Sequence, residues 1–443
     1  MEKPWAEKSW QEKREERFKR WLEAPGVEFV SPEARKAYRE RVTRFIGVIK
    51  LEEPDRVPVL LPAGYLPASY AGWTFKDVMY DYTKLRDAWL KFTHDMEPDS
   101  FDSPGLVYPG RVVEKIDHRL HKWPGHGLPD DAPMYQYVEG EYMKPEEYDD
   151  FIENPTEFWL KTFLPRTAGA LEGFQHLAPF TPVFTAPLGF ILSVSRPEVM
   201  KSFETLLEAA REIRKWREAV EEVSRQALSE GYASFRGAGM AGAPFDNLAD
   251  VLRGTRGIVM DMYRRPEKVF EAMERIVPLA VKGAVKTAAS SLCPVIMMPL
   301  HKGDRSFMSG AQFEKFYWPT FKKVLLGLIN EGLVPFPFAE GNYEPRLEII
   351  RDMPRTSVVW HFEHMDMGRA KEVLGDVACI AGNVPASLLV TGTPGAVKES
   401  CRKLIETCAP GGGYILTGGA GMNKGDADNL RAMMAAAKEY GKY

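Results

Sequence analysis

The stretch GDVACIAGNVPASLLVTGTPGAVKESCRKLIETCAPGGGYILTGGAG (375–421) decides the fold. It contains two short apolar runs, at 376–384 and 412–421, and a segment at 393–410 between them that has the pattern of a helix. Continuous apolar runs, as opposed to alternating ones, are typical of strands buried on both faces of a parallel sheet. The stretch therefore predicts a strand–helix–strand unit of a parallel α/β protein.

The same alternation extends over most of the chain. Other apolar runs that end in turn residues lie at 57–64, 181–189, 293–304, 333–341 and 356–364, with a weaker one at 100–105. Helices are expected at 310–332, 343–353, 366–375 and 424–443. About eight strands favour a closed (β/α)8 TIM barrel over an open doubly wound sheet. A length of 443 residues suits such a barrel with insertions.

Two helical regions stand outside this alternation. Residues 1–45 are charged and poor in apolar side chains, which predicts an N-terminal helical extension in an outer layer or a dimer contact. The barrel domain is then expected to span 46–443. Residues 202–231 predict one long inserted amphipathic helix, in which Thr205 and Glu208 can form a capping box. Packing on the barrel exterior is the expected role of this helix, and a dimer arm is the alternative.

Composition excludes several classes of protein. Lys and Arg number 58 and Asp and Glu 62, so the net charge of −4 gives no reason to expect a nucleic-acid partner. No apolar stretch approaches the roughly 18 residues of a membrane span, and the N-terminus lacks the apolar run of a signal peptide. The four cysteines form no CxxC pair, so a reducing, cytoplasmic location is expected.

The last hundred residues resemble the end of uroporphyrinogen decarboxylase and its relatives. The shared features are a strand ending in Gly-Asn, a Gly-Thr-Pro helix start, a Gly-Gly-Tyr-Ile strand and an Asn in the last helix, here at 382–383, 392–394, 412–415 and Asn429. Weaker matches lie at 54–59, 185–189 and 260–276. The resemblance implies a barrel enzyme, a homodimer and one of two chemistries. These are cofactor-free decarboxylation of a porphyrinogen, and methyl transfer involving a corrinoid or a thiol, usually with zinc.

The first strand argues against the decarboxylase. Decarboxylases of the family carry Arg-Gln-Ala-Gly-Arg there, and its arginines pair with substrate carboxylates. This chain has LLPAGYLPASYAG (60–72), in which Tyr65 stands in place of the second arginine. Tyr65, Leu66, Tyr70 and Trp73 suit a flatter, less charged substrate, with loop packing as their alternative role.

Later strand ends carry carboxylate and imidazole groups. Thiol-directed corrinoid methyltransferases of the superfamily have zinc ligands in a His-x-Cys pattern and a cysteine in the last loop. Here the first site is His361–Phe362–Glu363, and the loop at 417–421 has no cysteine. Twenty residues lie between Glu340 and His361, a spacing that is similar to that of ether-cleaving relatives. The resemblance implies zinc held by Glu340, His361 and Glu363. Zinc with nitrogen and oxygen ligands is a harder Lewis acid than zinc with thiolate ligands, and it therefore suits an oxygen leaving group.

The third zinc ligand is open at this point. Glu363 is preferred because a His-x-Glu spacing on a strand places both side chains on one face. His364 and His301 are the alternatives. A further upstream glutamate of the ether-cleaving relatives falls at Leu325, so that part of their pattern is absent.

These features predict a methyltransferase that moves a methyl group from a methyl ether, expected to be a methoxylated aromatic compound, to a Co(I) corrinoid on a small partner protein. His301 and Asp304 are the expected general acid or substrate-positioning groups. Tyr65, Phe338 and Phe362 are expected to stack on the substrate. The alternatives are a decarboxylase of a smaller acid, which needs neither metal nor corrinoid, and a corrinoid-binding scaffold without catalysis.

Overall fold

The computed structural model describes residues 3–178 and 187–443. Within these residues the strands are β1 Val59–Leu60, β2 His121–Pro124, β3 Gly127–Leu128, β4 Gln136–Tyr137, β5 Val295–Leu300, β6 Val334–Ala339, β7 Val359–Phe362, β8 Cys379–Val384 and β9 Tyr414–Gly418. Six of them form one curled parallel sheet in the order β1-β9-β8-β7-β6-β5. The other three form a small separate sheet in the order β3-β2-β4.

Helices surround the main sheet. The α-helices of the described residues are α1 Trp10–Glu23, α2 Pro32–Ile49, α3 Leu66–Tyr70, α4 Phe75–Tyr80, α5 Tyr82–Met96, α6 Gly110–Lys115, α7 Tyr148–Glu153, α8 Pro155–Phe158, α9 Leu164–Thr167, α10 Leu188–Val194, α11 Pro197–Ser229, α12 Pro244–Asp246, α13 Gly254–Arg264, α14 Pro266–Ala288, α15 Gly310–Gln312, α16 Trp318–Asn330, α17 Leu347–Ile350, α18 Met367–Leu374, α19 Ala386–Thr391, α20 Pro394–Cys408 and α21 Ala427–Tyr440. Short 3-10 or π segments lie at Trp5–Glu7, Pro104–Leu106, Pro145–Glu147, Trp159–Phe163, Gly169–His176, Asn247–Arg253, Phe313–Tyr317 and Glu344–Arg346. No helix within 3–178 or 187–443 is both long and apolar enough to cross a membrane.

The strands predicted from continuous apolar runs in the second half of the chain are confirmed as β5 to β9. Their residues are almost all buried, as parallel strands covered on both faces require. The run at 57–64 yields only the two residues of β1. Of the run expected at 181–189, residues 181–186 lie outside the described part, and the helix α10 begins at Leu188.

The main sheet has six regular strands in the described residues, where the sequence predicted eight. Between its edges, β1 and β5, two irregular segments lie side by side: Ser100 pairs with Ala233, and Met240 pairs with Met297, each as an isolated parallel bridge. The second segment contains GAGMAGAP (237–244), and glycines weaken a strand, which explains why it forms no regular ladder. The fold is therefore a curled, TIM-like parallel α/β architecture.

The N-terminal helices close the amino-terminal end of this sheet. Arg14 donates to the carbonyl of Thr356 at 2.6 Å and Arg17 to that of Glu331 at 2.8 Å, both just before strands begin. Trp21 and Phe45 are 1% and 0% exposed, so α1 and α2 each bury one face on the core, and a dimer contact through their exposed faces stays a prediction. The few apolar residues of α1 and α2 fall on one buried face, and α2 continues to Ile49, beyond the expected boundary at 45.

An aromatic column links these helices to the sheet interior. Ring centroids are 6.2 Å apart for Trp21 and Phe45, 4.7 Å for Phe45 and Phe235, and 5.2 Å for Phe235 and Phe336. Such contacts bury large apolar areas and fix the relative positions of the rings. The rings of the extension are thus part of the core and cover the amino-terminal end of the strands.

The long inserted helix is present as α11. It begins at Pro197, so Thr205 and Glu208 lie within it and form no capping box. It packs against α5 and the 3-10 segment Gly169–His176, and the indole N–H of Trp216 donates to the carbonyl of Val107 at 3.0 Å. The helix therefore belongs to the outer layer, packed on other helices.

Truncation of Trp21 tests the role of the N-terminal helices. Trp21→Ala should lower the free energy of unfolding by about 3–5 kcal/mol, because it removes a fully buried ring. Denaturant unfolding followed by circular dichroism measures the change. Trp159, which is 51% exposed, provides the matched control, and its replacement by Ala should cost about 0.5 kcal/mol or less. Equal effects of the two substitutions would show that α1 is not part of the core.

Candidate active site

His301 and Glu340 meet at the carboxyl ends of β5 and β6. The Nδ1 atom of His301 lies 2.6 Å from a carboxylate oxygen of Asp250, and its Nε2 atom lies 3.7 Å from a carboxylate oxygen of Glu340. Lys302 reaches the other oxygen of Asp250 at 3.3 Å. The His301 side chain is 42% exposed, so a molecule in the mouth of the sheet can reach it.

A buried carboxylate holds the turn that carries His301. Asp246 accepts hydrogen bonds from the backbone N–H groups of His301 at 3.1 Å and Lys302 at 3.0 Å. It also accepts one from the hydroxyl of Tyr317 at 2.7 Å. Asp246 ends α12 and Asp250 lies in the π segment that follows, so one short helical stretch supplies both partners of the turn.

The electrostatics of this cluster favour a charged His301. The hydrogen bond with Asp250 raises the pKa of His301 to about 9 against the opposing effect of burial, and the charge of Glu340 adds to the rise. Burial raises the pKa of Glu340. Burial and the charge of Asp250 raise the pKa of Asp246 to about 6. His301 is therefore an imidazolium at neutral pH, with a proton available to a substrate.

The small sheet covers one side of this cluster. The hydroxyl of Tyr137, in β4, donates to the backbone carbonyl of Asp250 at 2.6 Å. The carboxylate of Glu139 accepts a hydrogen bond from the backbone N–H of Thr255, and Thr255 in turn accepts one from Lys302. The insertion between α6 and α7 thus forms a wall of the site.

His361 lies deeper in the sheet and has a different environment. Its ring stacks on Phe338 with centroids 4.4 Å apart and on Phe336 at 5.7 Å, and its Nε2 atom donates to the carbonyl of Gly418 at 2.8 Å. Burial lowers the pKa of His361 to about 4, so the ring is neutral. Its Nδ1 atom is buried and has no hydrogen-bond partner among the described residues.

The predicted zinc ligands are not assembled in this conformation. Glu363 accepts a hydrogen bond from the backbone N–H of Gly341 at 2.7 Å, while Glu340 faces His301. His364, the alternative ligand, lies 3.4 Å from Glu363 and is 74% exposed. Across residues 3–178 and 187–443, no three or more His, Cys, Asp or Glu side chains are grouped so that they could hold a metal ion. In this arrangement Glu340, His361 and Glu363 do not form a zinc site, and zinc binding stays a prediction.

Asp304 serves the loop that follows β5. Its carboxylate accepts hydrogen bonds from the backbone and hydroxyl of Ser306 and, at 3.3 Å, from the backbone N–H of Asn342. Burial acts to raise the pKa of Asp304, but these hydrogen bonds lower it overall. A Cβ at Gly341, where φ is +80°, would lie 1.8 Å from this carboxylate. The contacts support a loop-holding role for Asp304 and leave no proton on it to donate at neutral pH.

The three predicted stacking residues have different positions. Phe338 is half-buried against His361. Tyr65 lies at the mouth, where its hydroxyl donates to that of Tyr135 at 2.7 Å. Phe362 is 1% exposed and stacks on Trp360, so its expected contact with substrate is corrected. Side chains alternate along a strand, and Phe362 therefore points away from the face that carries His361 and Glu363.

The sequence reasoning missed Asp246, Asp250 and Tyr317. The two aspartates are four positions apart in PFDNLAD (244–250), a spacing that places both on one face of a helical segment. That acidic pair is a sequence feature from which the two aspartates could be predicted as site residues. Nothing in the sequence, however, places it next to His301.

A curled parallel sheet with its polar groups at the carboxyl ends of the strands is typical of enzymes with TIM-like folds. A model of the uroporphyrinogen decarboxylase (URO-D) family matches residues 181–440, and the chain belongs to this family. The family resemblance of the C-terminal sequence is thereby confirmed.

The comparison with solved structures agrees with the fold. A methyltransferase from Methanosarcina mazei is 18% identical to this chain, with a TM-score of 0.56 and with 90% of this chain and 98% of that one covered. At this level of identity the likeness concerns the fold. None of the curated proteins compared matches the chain significantly.

Replacement of Asp250 tests the charge state of His301. Asp250→Asn should shift the pKa of His301 downward from about 9, since the hydrogen bond with Asp250 is the largest cause of its rise. Histidine side-chain NMR titration measures the shift. Asp304→Asn is the matched control, because Asp304 does not contact His301, and it should leave the titration unchanged. An unaltered pKa in the Asp250 variant would contradict the assigned pairing.

Proposed function

We propose that this protein is a methyltransferase that moves a methyl group from a methyl ether to a Co(I) corrinoid carried by a small partner protein. The expected donor is a methoxylated aromatic compound. The observation that carries the proposal is His301, an accessible imidazolium at the carboxyl end of β5. Membership in the URO-D family and the fold of the Methanosarcina mazei methyltransferase support it. We also propose that the segments at 99–101 and 233–241 complete an eight-stranded barrel.

Cleavage of an ether at the methyl carbon expels an alkoxide or phenolate, and this oxygen needs a proton or a positive charge. In His301 the Nδ1–H group is held by Asp250, which leaves the Nε2–H group for the leaving oxygen. The pKa of His301, about 9, lies close to the value of about 10 for a phenol. Proton transfer between the two is therefore nearly balanced, which suits a general acid.

The chain's other groups keep this acid in place. Asp250 holds the charge of His301 and Asp246 fixes the backbone of the turn. The hydroxyl of Tyr137 donates to the backbone carbonyl of Asp250 and so helps to hold the segment that carries this carboxylate. When bound, the corrinoid supplies the nucleophile, and the protein's task is to orient the ether and to stabilise the leaving oxygen.

Zinc held by Glu340, His361 and Glu363 is a separate proposal from the family resemblance. The Nδ1 atom of His361 would be the ligating atom, because no described residue hydrogen-bonds its buried lone pair, while Nε2–H is fixed by Gly418. A carbonyl that holds the other ring nitrogen is a common companion of a histidine ligand. Glu363 would have to release the N–H of Gly341, so binding requires a rearrangement at the ends of β6 and β7.

A decarboxylase that acts on a smaller acid is the alternative. The same proton on His301 could be delivered to the carbanion left by loss of carbon dioxide. Tyr65 in place of an arginine argues against a porphyrinogen substrate but not against a smaller acid. Release of carbon dioxide would identify this activity.

Removal of the acid tests the methyltransferase proposal. With methoxybenzoate as donor and chemically reduced cobalamin as acceptor, His301→Asn should slow the formation of methyl-Co(III) by about 10²–10⁴-fold. The loss should be smaller for nitro-substituted methoxybenzenes, whose phenolates leave without a proton. Visible absorbance of the cobalamin follows the reaction.

His176→Asn is the control for this experiment, because His176 is an exposed histidine of the outer 3-10 segment Gly169–His176. Its rate should equal that of the unaltered protein. Absence of methyl transfer from every ether tried, with carbon dioxide formed from the acids, would replace the proposal by the decarboxylase. An equal loss for all leaving groups would remove His301 from the role of acid.

The metal proposal has its own test. Purified protein should contain about one zinc per chain by elemental analysis, and Glu340→Gln should lower this occupancy, because it replaces a charged ligand by a neutral one. Asp304→Asn serves as the matched control and should retain the metal. Activity that persists after chelation, in protein without zinc, would exclude a zinc-dependent reaction.

A further inference from the structure

We propose that Tyr137 recognises the aromatic ring of the methyl donor, by packing its own ring against it while the ether oxygen lies beside His301. This inference rests on the proposed function and adds to it the residue that selects aromatic donors. Tyr137 lies in β4, in the insertion between α6 and α7. Its hydroxyl is bonded to Asp250, but its ring has no role in the acid chemistry of His301.

The segment 134–139 crosses the mouth of the main sheet. At its start, the side-chain amide of Asn423, in the loop after β9, donates to the sulfur of Met134 at 2.9 Å. Further along, the hydroxyl of Tyr137 donates at 2.6 Å to the backbone carbonyl of Asp250, which belongs to the cluster at the end of β5. The segment therefore spans the opening from the β9 side to the β5 side.

One face of this segment is turned toward the mouth. Side chains alternate along an extended chain, so Tyr135, Tyr137 and Glu139 share a face. Each of the three hydrogen-bonds a residue at the carboxyl end of the main sheet. The pairs are Tyr135 with Tyr65, Tyr137 with Asp250, and Glu139 with Thr255. The ring of Tyr137 therefore borders the space in which a substrate reaches His301.

The ring of Tyr137 is held in one position. Its hydroxyl is fixed by Asp250, and its ring meets His121, the cross-strand partner in β2, edge-on with centroids 5.4 Å apart. His121 is bonded to His118 at 2.9 Å, and burial lowers the pKa of His121 to about 4, so this backing ring is neutral. A ring that is fixed before binding loses little freedom when a ligand packs on it.

Part of the Tyr137 ring is open to a ligand. The residue is 39% exposed, and His121 meets the ring edge-on and does not cover it as a stacked ring would. Tyr135 and Tyr108 differ, because they stack on each other with centroids 4.6 Å apart and planes at 8°. Tyr137 thus offers ring surface at the mouth, where Tyr135 and Tyr108 use theirs on each other.

The Tyr137 ring and the acid are attached to the same residue. The backbone carbonyl of Asp250 holds the hydroxyl of Tyr137, and its carboxylate holds the Nδ1 atom of His301 at 2.6 Å. In an aryl methyl ether the oxygen is bonded directly to the ring, so a ring packed on Tyr137 keeps its oxygen near the Nε2–H group of His301. Aromatic pairs prefer offset-stacked or edge-to-face arrangements, which orient the donor as well as bind it.

The test compares two ethers of the same charge and similar size, 3-methoxybenzoate and cis-3-methoxycyclohexanecarboxylate, of which only the first has an aromatic ring. Isothermal titration calorimetry should show that the unaltered protein binds the aromatic ether about three- to tenfold more tightly, the effect expected of one aromatic pair. Tyr137→Leu should abolish the preference, since leucine is apolar but has no ring. Tyr137→Phe should keep it, because only the hydrogen bond to Asp250 is removed.

Tyr263→Leu is the matched control, because Tyr263 is 74% exposed on α13, and it should keep the full preference. Thermal unfolding shows whether each variant is folded, and the comparison of the two ethers in the unaltered protein depends on no variant. Equal binding of both ethers by the unaltered protein would overturn the inference, as would a folded Tyr137→Leu protein that retains the preference. An equal loss in Tyr137→Phe and Tyr137→Leu would also overturn it, because the hydroxyl and not the ring would then be responsible.

Methyl transfer from 3-methoxybenzoate to reduced cobalamin is measured with the same proteins. Tyr137→Leu should raise the KM for this ether by about three- to tenfold, and Tyr137→Phe should leave it unchanged. Methyl transfer with an unchanged KM in Tyr137→Leu would leave the proposed function standing and overturn the role of Tyr137. A binding preference that depends on Tyr137, without methyl transfer from either ether, would leave the ring contact standing and overturn the proposed function.

Discussion

The buried carboxylate of Asp246 is the constraint on which the carboxyl end of the sheet depends. It accepts two backbone N–H groups from the turn after β5 and the hydroxyl of Tyr317, three donors that offset its loss of water. Without it, the backbone N–H groups of His301 and Lys302 would lose the acceptor that holds the turn. The pairing of His301 with Asp250, and through it the charge of the site, follows from this anchor.

The two ends of the sheet are built from different interactions. At the amino-terminal end, rings from α1 and α2 pack on Phe235 and Phe336 and exclude water. At the other end, acids, His301 and Lys302 hold one another by hydrogen bonds. A rigid apolar base and a polar, reachable mouth are what precise placement of a reacting group requires. The N-terminal helices thus contribute to function without approaching the site.

The sequence predicts those features of the fold and site that depend on short residue patterns. Strands β5 to β9 follow from their apolar runs, and His301 and Glu340 follow from their positions at strand ends. The predicted substrate contact of Phe362 is wrong, because the alternation of side chains along β7 turns this ring away from His361 and onto Trp360. Asp246 and Asp250 were missed for another reason. Asp246 is 55 positions from His301 and Asp250 is 51 positions from it, and only tertiary packing brings these partners together.

The two histidines show how one fold gives imidazole two chemistries. Asp250 keeps His301 charged, with a pKa of about 9, while burial among aromatic rings keeps His361 neutral, with a pKa of about 4. Of these two rings, His301 carries the proton that can be donated at neutral pH, while the Nδ1 atom of His361 has no hydrogen-bond partner in the part of the chain that the structure describes. Glu340 faces His301 at 3.7 Å and is also the predicted metal ligand beside His361. One carboxylate cannot pair with His301 and hold a metal beside His361 at once, so the zinc site predicted from the family resemblance would require Glu340 to move away from His301.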